Sequence, residues 1–133
     1  MQLITTKAHG VIDYSLGILM ISLPLIFNFT FSDAQKFILP VVGAITILYS
    51  LLTDYEFGLI KIISVKMHLT LDILLGLFLA VSPWLFGFND YFHGPHVVVG
   101  MLVVLLSLVS RVFHNSATFS SHKHTRIIDH NNS

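Results

Sequence analysis

The chain has no cysteine. Disulfides, thiolate metal sites, cysteine nucleophiles and c-type haem attachment are therefore excluded. Charge is scarce as well. Only 11% of the 133 residues are Asp, Glu, Lys or Arg, against ~25% in an ordinary soluble domain. The seven basic and seven acidic side chains cancel. Without a basic stripe to neutralise phosphates, nucleic acid is not an expected partner. There is no phosphate loop, no GxSxG and no HExxH. No catalytic residue is assigned, and an enzyme is not the favoured reading.

What the chain does have is apolar length. Hydrophobic residues make up 54% of it, more than a soluble domain of this size can hide. Asp, Glu, Lys and Arg are missing from residues 14–32, 37–53, 73–89 and 91–110. A membrane-spanning helix needs ~20 mostly apolar residues. The first and third stretches reach that length comfortably only by starting near Lys7 and Lys66. That start draws His9, Asp13, His68 and Asp72 into the helices. The fourth is strictly apolar only over 97–109 and is expected to tilt little or to sit near an end. The continuous Leu/Ile/Val runs do not alternate as transmembrane strands do. A cleaved leader is not expected, because the first apolar run is long, carries His9 and Asp13, and lacks a small-x-small site.

The chain repeats itself. KAHGVIDYSLGILMISLPLIFNF lies over KMHLTLDILLGLFLAVSPWLFGF with an offset of 59 residues, Lys7 to Lys66. His9 meets His68, Asp13 meets Asp72, Gly17 meets Gly76, and Pro24 meets Pro83. Shared leucines mean little in a membrane sequence, but shared Lys, His, Asp, Gly and Pro in register indicate duplication. VVGAITILYSLL lies more weakly over VVGMLVVLLSLV at an offset of 57, Val41 to Val98. Each unit holds an even number of helices, so the second copy enters from the same side as the first. The expected fold is an all-α membrane protein with four transmembrane helices, arranged as two parallel two-helix repeats about a pseudo-two-fold axis along the membrane normal.

The domain expected over 1–113 divides into repeat 1 (7–53), an interfacial segment (54–66) at headgroup level, and repeat 2 (66–113). Residues 114–133 read as a polar, disordered tail. Lys7, Lys61, Lys66, Arg111, Lys123 and Arg126 fall on one side of this arrangement and only Lys36 on the other. The positive-inside rule then puts both termini in the cytoplasm. Phe27, Phe29, Phe31, Trp84, Phe86, Phe88, Tyr91 and Phe92 gather toward the other face, as an aromatic belt does.

The sequence resembles the SPW-repeat family of small bacterial membrane proteins. The resemblance is carried by Ser82-Pro83-Trp84 within LFLAVSPWLFGF, by HLTLDILLG before it, by TDYEFGL, and by PHVVVGM. It covers roughly residues 5–112. The first copy departs from it, with Leu23-Pro24-Leu25 in place of Ser-Pro-Trp. The resemblance implies the fold and a place in the bacterial cytoplasmic membrane, with the lipid bilayer as partner. It supplies no mechanism.

The chemistry is expected in the repeated His-x-x-x-Asp. Four residues apart, His and Asp share one helix face, ~6 Å apart along the axis. A carboxylate at the centre of a membrane helix costs ~2.5–3.5 kcal/mol on insertion scales, and less near the ends. Incurring that cost twice calls for a partner. The favoured reading of His9, Asp13, His68 and Asp72 is a polar clasp near the cytoplasmic face. The alternative is a metal or redox site, since two imidazoles and two carboxylates suit a divalent transition metal such as zinc, iron or manganese. Asp54 and Glu56 are candidates for further oxygen ligands. Bis-histidine haem is disfavoured because His9 and His68 lie near helix ends. A third reading is a proton-coupled transporter or channel, which with four helices requires a homo-oligomer. Ser82-Pro83-Trp84 reads as a proline bend eased by Ser82, with Trp84 as an anchor. His93 and His96 are expected on the outer surface, and the tail histidines are read as incidental.

Overall fold

The structure is a computed structural model. It describes residues 6–29 and 32–131, and side chains up to residue 112. Four helices follow one another: α1 (Thr6–Ile26), α2 (Asp33–Leu51), α3 (Val65–Leu85) and α4 (Gly94–Asn131). Among the described residues there is no strand, only an isolated parallel bridge between Thr53 and Ile63. At 1.5 Å per residue, the 21 residues of α1 and of α3 and the 19 of α2 match the ~30 Å hydrocarbon layer. All four helices are long and apolar enough to cross a membrane, α4 over Gly94–Val112. The early starts expected of α1 and α3 are present, so His9, Asp13, His68 and Asp72 are all helical. The backbone of α4 continues as helix to Asn131, across the stretch read from sequence as a disordered tail. Extending an existing helix needs no new nucleus, which is the costly step. The side chains of that tail, its histidines included, lie outside the described residues.

The helices are delimited by local chemistry. Ser32 caps α2 by accepting from the Gln35 N–H at 3.1 Å, and Ser64 caps α3 by accepting from Met67 at 3.3 Å. α1 and α3 end alike. Asn28 (φ 48°) and Gly87 (φ 71°) take the left-handed conformation one residue before a buried phenylalanine. The amides of Phe29 and Phe88 then reach back to the carbonyls of Pro24 and Pro83, at 3.3 and 2.9 Å.

α1 packs closely on α2, and α3 on α4; contacts between these pairs are sparser. Glycines permit the close crossings. A Cβ on Gly43 would lie 2.7 Å from the Gly17 carbonyl oxygen, and one on Gly76 would lie 2.8 Å from that of Gly100. Met20, Leu23, Phe29, Leu39, Val42, Leu79 and Val99 form the apolar core. The outside is greasier than the inside of a soluble protein would allow: Ile18, Leu25, Leu48, Leu74, Leu85, Val98 and Leu105 are exposed. Polar side chains are turned inward instead, as a lipid solvent requires.

Candidate functional site

His9 and Asp13 lie on the buried face of α1, and His68 and Asp72 on that of α3. The four meet between the helix pairs, with one ligand atom from each within 4.8 Å of all the others. Their pairing is crossed. His68 Nε2 lies 2.8 Å from Asp13 Oδ2, and His9 Nε2 lies 3.2 Å from Asp72 Oδ2. The contacts within each helix are longer, at 3.5 Å for His9–Asp13 and 3.3 Å for His68–Asp72. Of its two carboxylate contacts, each imidazole therefore makes the shorter with the aspartate of the other repeat.

A second ring of polar groups fixes the quartet. Thr53 Oγ1 donates its only hydrogen to the Tyr49 carbonyl at 2.7 Å. It can then only accept from His68 Nδ1, 2.8 Å away, so Nδ1 carries a proton. His68 Nε2 accordingly offers Asp13 a second proton, as imidazolium, or offers its lone pair to a protonated carboxyl or to a cation. Ser110 Oγ lies 3.1 Å from His9 Nδ1. Asp72 accepts from the Tyr49 hydroxyl through Oδ1 and from Ser107 through Oδ2, at 3.2 Å. The rings of His9, Tyr49 and Tyr55 stand edge-on to His68 with centroids 4.9–5.8 Å away. Orienting the distal imidazole nitrogen in this way is what the outer shell of a metal site does, and equally what a buried hydrogen-bond network requires.

Two expectations for this region need correction. Asp54 and Glu56 do not join the quartet. Asp54 is exposed, with Lys61 at 3.8 Å. Glu56 is exposed and accepts from the Thr6 hydroxyl at 2.9 Å. Its own backbone amide and Thr6 hold its carboxyl below the usual glutamate range. The segment after α2 curls back, with the Asp54 amide bonded to the Ile63 carbonyl, and this turns both carboxylates outward. Nor is His96 on the surface. It is fully buried, with ring centroids 4.8 Å from Phe88 and 5.7 Å from Phe29. α4 begins at Gly94, so His96 already lies in its first turn and points into the bundle. His93 is half-buried and donates to the Tyr91 carbonyl at 2.7 Å.

The sequence reading missed Tyr49, Thr53, Ser107 and Ser110. A signal was available, because the offset of 57 aligns Ser50 with Ser107 and Thr53 with Ser110.

Four apolar helices around a buried His–Asp cluster define a multi-pass membrane protein. The chain belongs to the SPW repeat domain family, whose sequence profile matches residues 7–110. No curated protein and no solved structure matches it significantly.

Proposed function

We propose that the protein is a small structural or accessory component of the bacterial cytoplasmic membrane, with both termini cytoplasmic, and that its two repeats are fastened by the His–Asp quartet. The crossed pairing carries this reading. Bonds within one helix would fasten nothing, whereas His68–Asp13 and His9–Asp72 join α1 to α3, in different repeats. The basic residues around the quartet end support the orientation. The parallel pseudo-two-fold arrangement is supported by the matching Asn28 and Gly87 turns and by the paired glycine crossings. A double-mutant cycle on Asp13→Asn and His68→Gln, read by thermal unfolding in detergent, tests it. Polar contacts between membrane helices average ~0.6 kcal/mol and reach ~1.7 kcal/mol. The expected coupling for the crossed pair lies at the upper end and exceeds that of the same-helix pair Asp72→Asn with His68→Gln. Equal couplings, or none, would remove the clasp.

One observation favours a second reading, a divalent transition metal in the quartet. Each Nε2 has carboxylate oxygens of both aspartates within 3.5 Å, yet it carries at most one proton. A single cation between the two imidazoles and two carboxylates would meet all four contacts at once. Metal bonds of ~2.0–2.1 Å in a tetrahedron separate the ligand atoms by ~3.3–3.4 Å; the four imidazole–carboxylate contacts, at 2.8–3.5 Å, bracket this value, while the whole set spans up to 4.8 Å. Elemental analysis after chelator-free purification is expected to find one equivalent of metal, lost in Asp72→Asn. Metal-free wild-type protein after reconstitution with zinc, iron and manganese in turn would refute this reading.

A further inference from the structure

The two copies of the repeat part company on one face of α1. Where α3 has Val65, Leu69 and Ile73, the offset of 59 sets Thr6, Gly10 and Tyr14 on α1. Spaced by four, these three share a single helix face. Each meets the connection between α2 and α3. The Thr6 hydroxyl donates to the Glu56 carboxylate at 2.9 Å, and the Tyr14 hydroxyl donates to the Phe57 carbonyl at 3.0 Å. Gly10 lies under two rings: a Cβ there would come 2.1 Å from Tyr55 Cε2 and 3.1 Å from Phe57 Cδ2. A leucine, as at the matching position of α3, would push both rings away.

The connection has a fixed base and a separately held tip. At the base, the Leu59 and Ile60 amides bond the Leu51 carbonyl at 2.8 and 3.0 Å, and the Ile62 and Ile63 amides bond the Leu52 carbonyl at 2.9 and 2.8 Å. At the tip, 55–58 closes into a turn, with the Gly58 amide on the Tyr55 carbonyl at 3.0 Å. Glycine is required there, since a Cβ on Gly58 would lie 1.8 Å from the Thr53 carbonyl oxygen. Side-chain hydrogen bonds and ring packing hold the tip on α1, and these can part while the backbone bonds of the base stay intact. The tip covers the quartet. Tyr55 is buried, its ring centroid is 5.8 Å from that of His68, and it rests on the glycine that follows His9. Its hydroxyl is buried as well and has no hydrogen-bond partner among the described residues. A buried hydroxyl without a partner is a standing penalty, relieved when the group reaches water. Two tethers and the packing on Gly10 thus hold the tip down, against one polar group that gains by leaving.

Building on the metal reading of the quartet, we propose that residues 55–58 are a hinged lid through which a divalent cation enters and leaves the site. The lid opens by lifting off Thr6, Gly10 and Tyr14, with the base at 51–52 and 59–63 as its hinge. The departure of α1 from the repeat is then the lid's seat, cut into one copy only, because one connection serves both copies of the His-x-x-x-Asp motif.

Two variants loosen the lid without altering the quartet. Tyr14→Phe removes a tether, and Gly10→Leu removes the seat. The full chain in detergent is loaded with Zn²⁺, and its release into an excess of chromogenic chelator is timed. Losing one neutral hydrogen bond shifts an equilibrium by about fivefold, so Tyr14→Phe is expected to speed release by about that factor and Gly10→Leu by more. Access is also read without any metal, by modifying histidines of the zinc-free protein with diethyl pyrocarbonate and locating the adducts by mass spectrometry. Both variants are expected to raise the reactivity of His68 and to leave His96, buried at the other end of the bundle, unreactive. Unchanged zinc release and unchanged His68 reactivity in both variants would overturn the lid. So would a parallel rise at His96 in Tyr14→Phe, the milder change, because the fold rather than a lid would then be opening. A wild type that binds no zinc would remove the metal reading and the lid's cargo with it, while a selective rise at His68 would still show the lid.

Discussion

Thr53 shows how little of a buried network a single side chain announces. Its hydroxyl bonds the Tyr49 carbonyl four residues back, as Ser15, Ser22 and Thr70 do with Val11, Ile18 and Lys66. That local bond is common for hydroxyls in membrane helices, and nothing in the sequence separates Thr53 from the others. Only the fold brings His68 Nδ1 to its lone pair. His9, Asp13, His68 and Asp72 were legible for the opposite reason: an ionisable residue in an apolar helix is costly and needs a partner. Thr53→Val keeps the shape and removes the acceptor. It should leave His68 Nδ1–H buried and unpaired, at a cost of about 1–3 kcal/mol. Thermal unfolding in detergent measures this, and Thr70→Val, which removes a peripheral hydroxyl, should cost well under half as much. Equal losses would mean that the Thr53–His68 bond contributes nothing specific.

At the scale of the helix, Pro83 is the test of how α3 tolerates a break near its end. Proline has no N–H for the carbonyl four residues back, which is that of Leu79. Ser82 Oγ donates to that same oxygen at 2.7 Å, and both Ser82 and Leu79 are fully buried. Ser82 therefore occupies the carbonyl that the proline leaves without an amide, as expected, while Trp84 faces outward beside His93. In α1, Leu23 precedes Pro24 and offers no hydroxyl, so the two repeats solve one problem differently. Ser82→Ala should destabilise by about 1–3 kcal/mol, because it strands a buried carbonyl. Pro83→Ala restores an amide for that carbonyl, so in its background Ser82→Ala should cost less than half as much. Additive losses in this cycle would show that Ser82 does not serve the proline.

For the whole molecule, hydropathy and the repeat together reveal four helices, and the doubled Lys, His and Asp reveal where α1 and α3 begin. The course of 53–64 was not legible, because it depends on backbone bonds such as Leu59 and Ile60 to Leu51 that no side-chain pattern encodes. His96 was misplaced because a first-turn residue points in or out according to helix rotation, which packing decides. Orientation rests on charge alone, with Lys7, Lys61, Lys66 and Arg111 at the quartet end and Lys36 at the other. The lack of cysteine makes this directly testable, since any introduced thiol is the only one. Lys61 and Asp90 are both exposed, one in each kind of connection. In intact spheroplasts, a membrane-impermeant maleimide should label Asp90→Cys and leave Lys61→Cys unlabelled until the membrane is opened. Because the connections of an even-numbered repeat alternate sides, Ser32→Cys should behave like Asp90→Cys. The reverse pattern would invert the orientation but keep the parallel repeat. Ser32 and Asp90 labelling from opposite sides would break the repeat itself and separate His9 and Asp13 from His68 and Asp72 in depth.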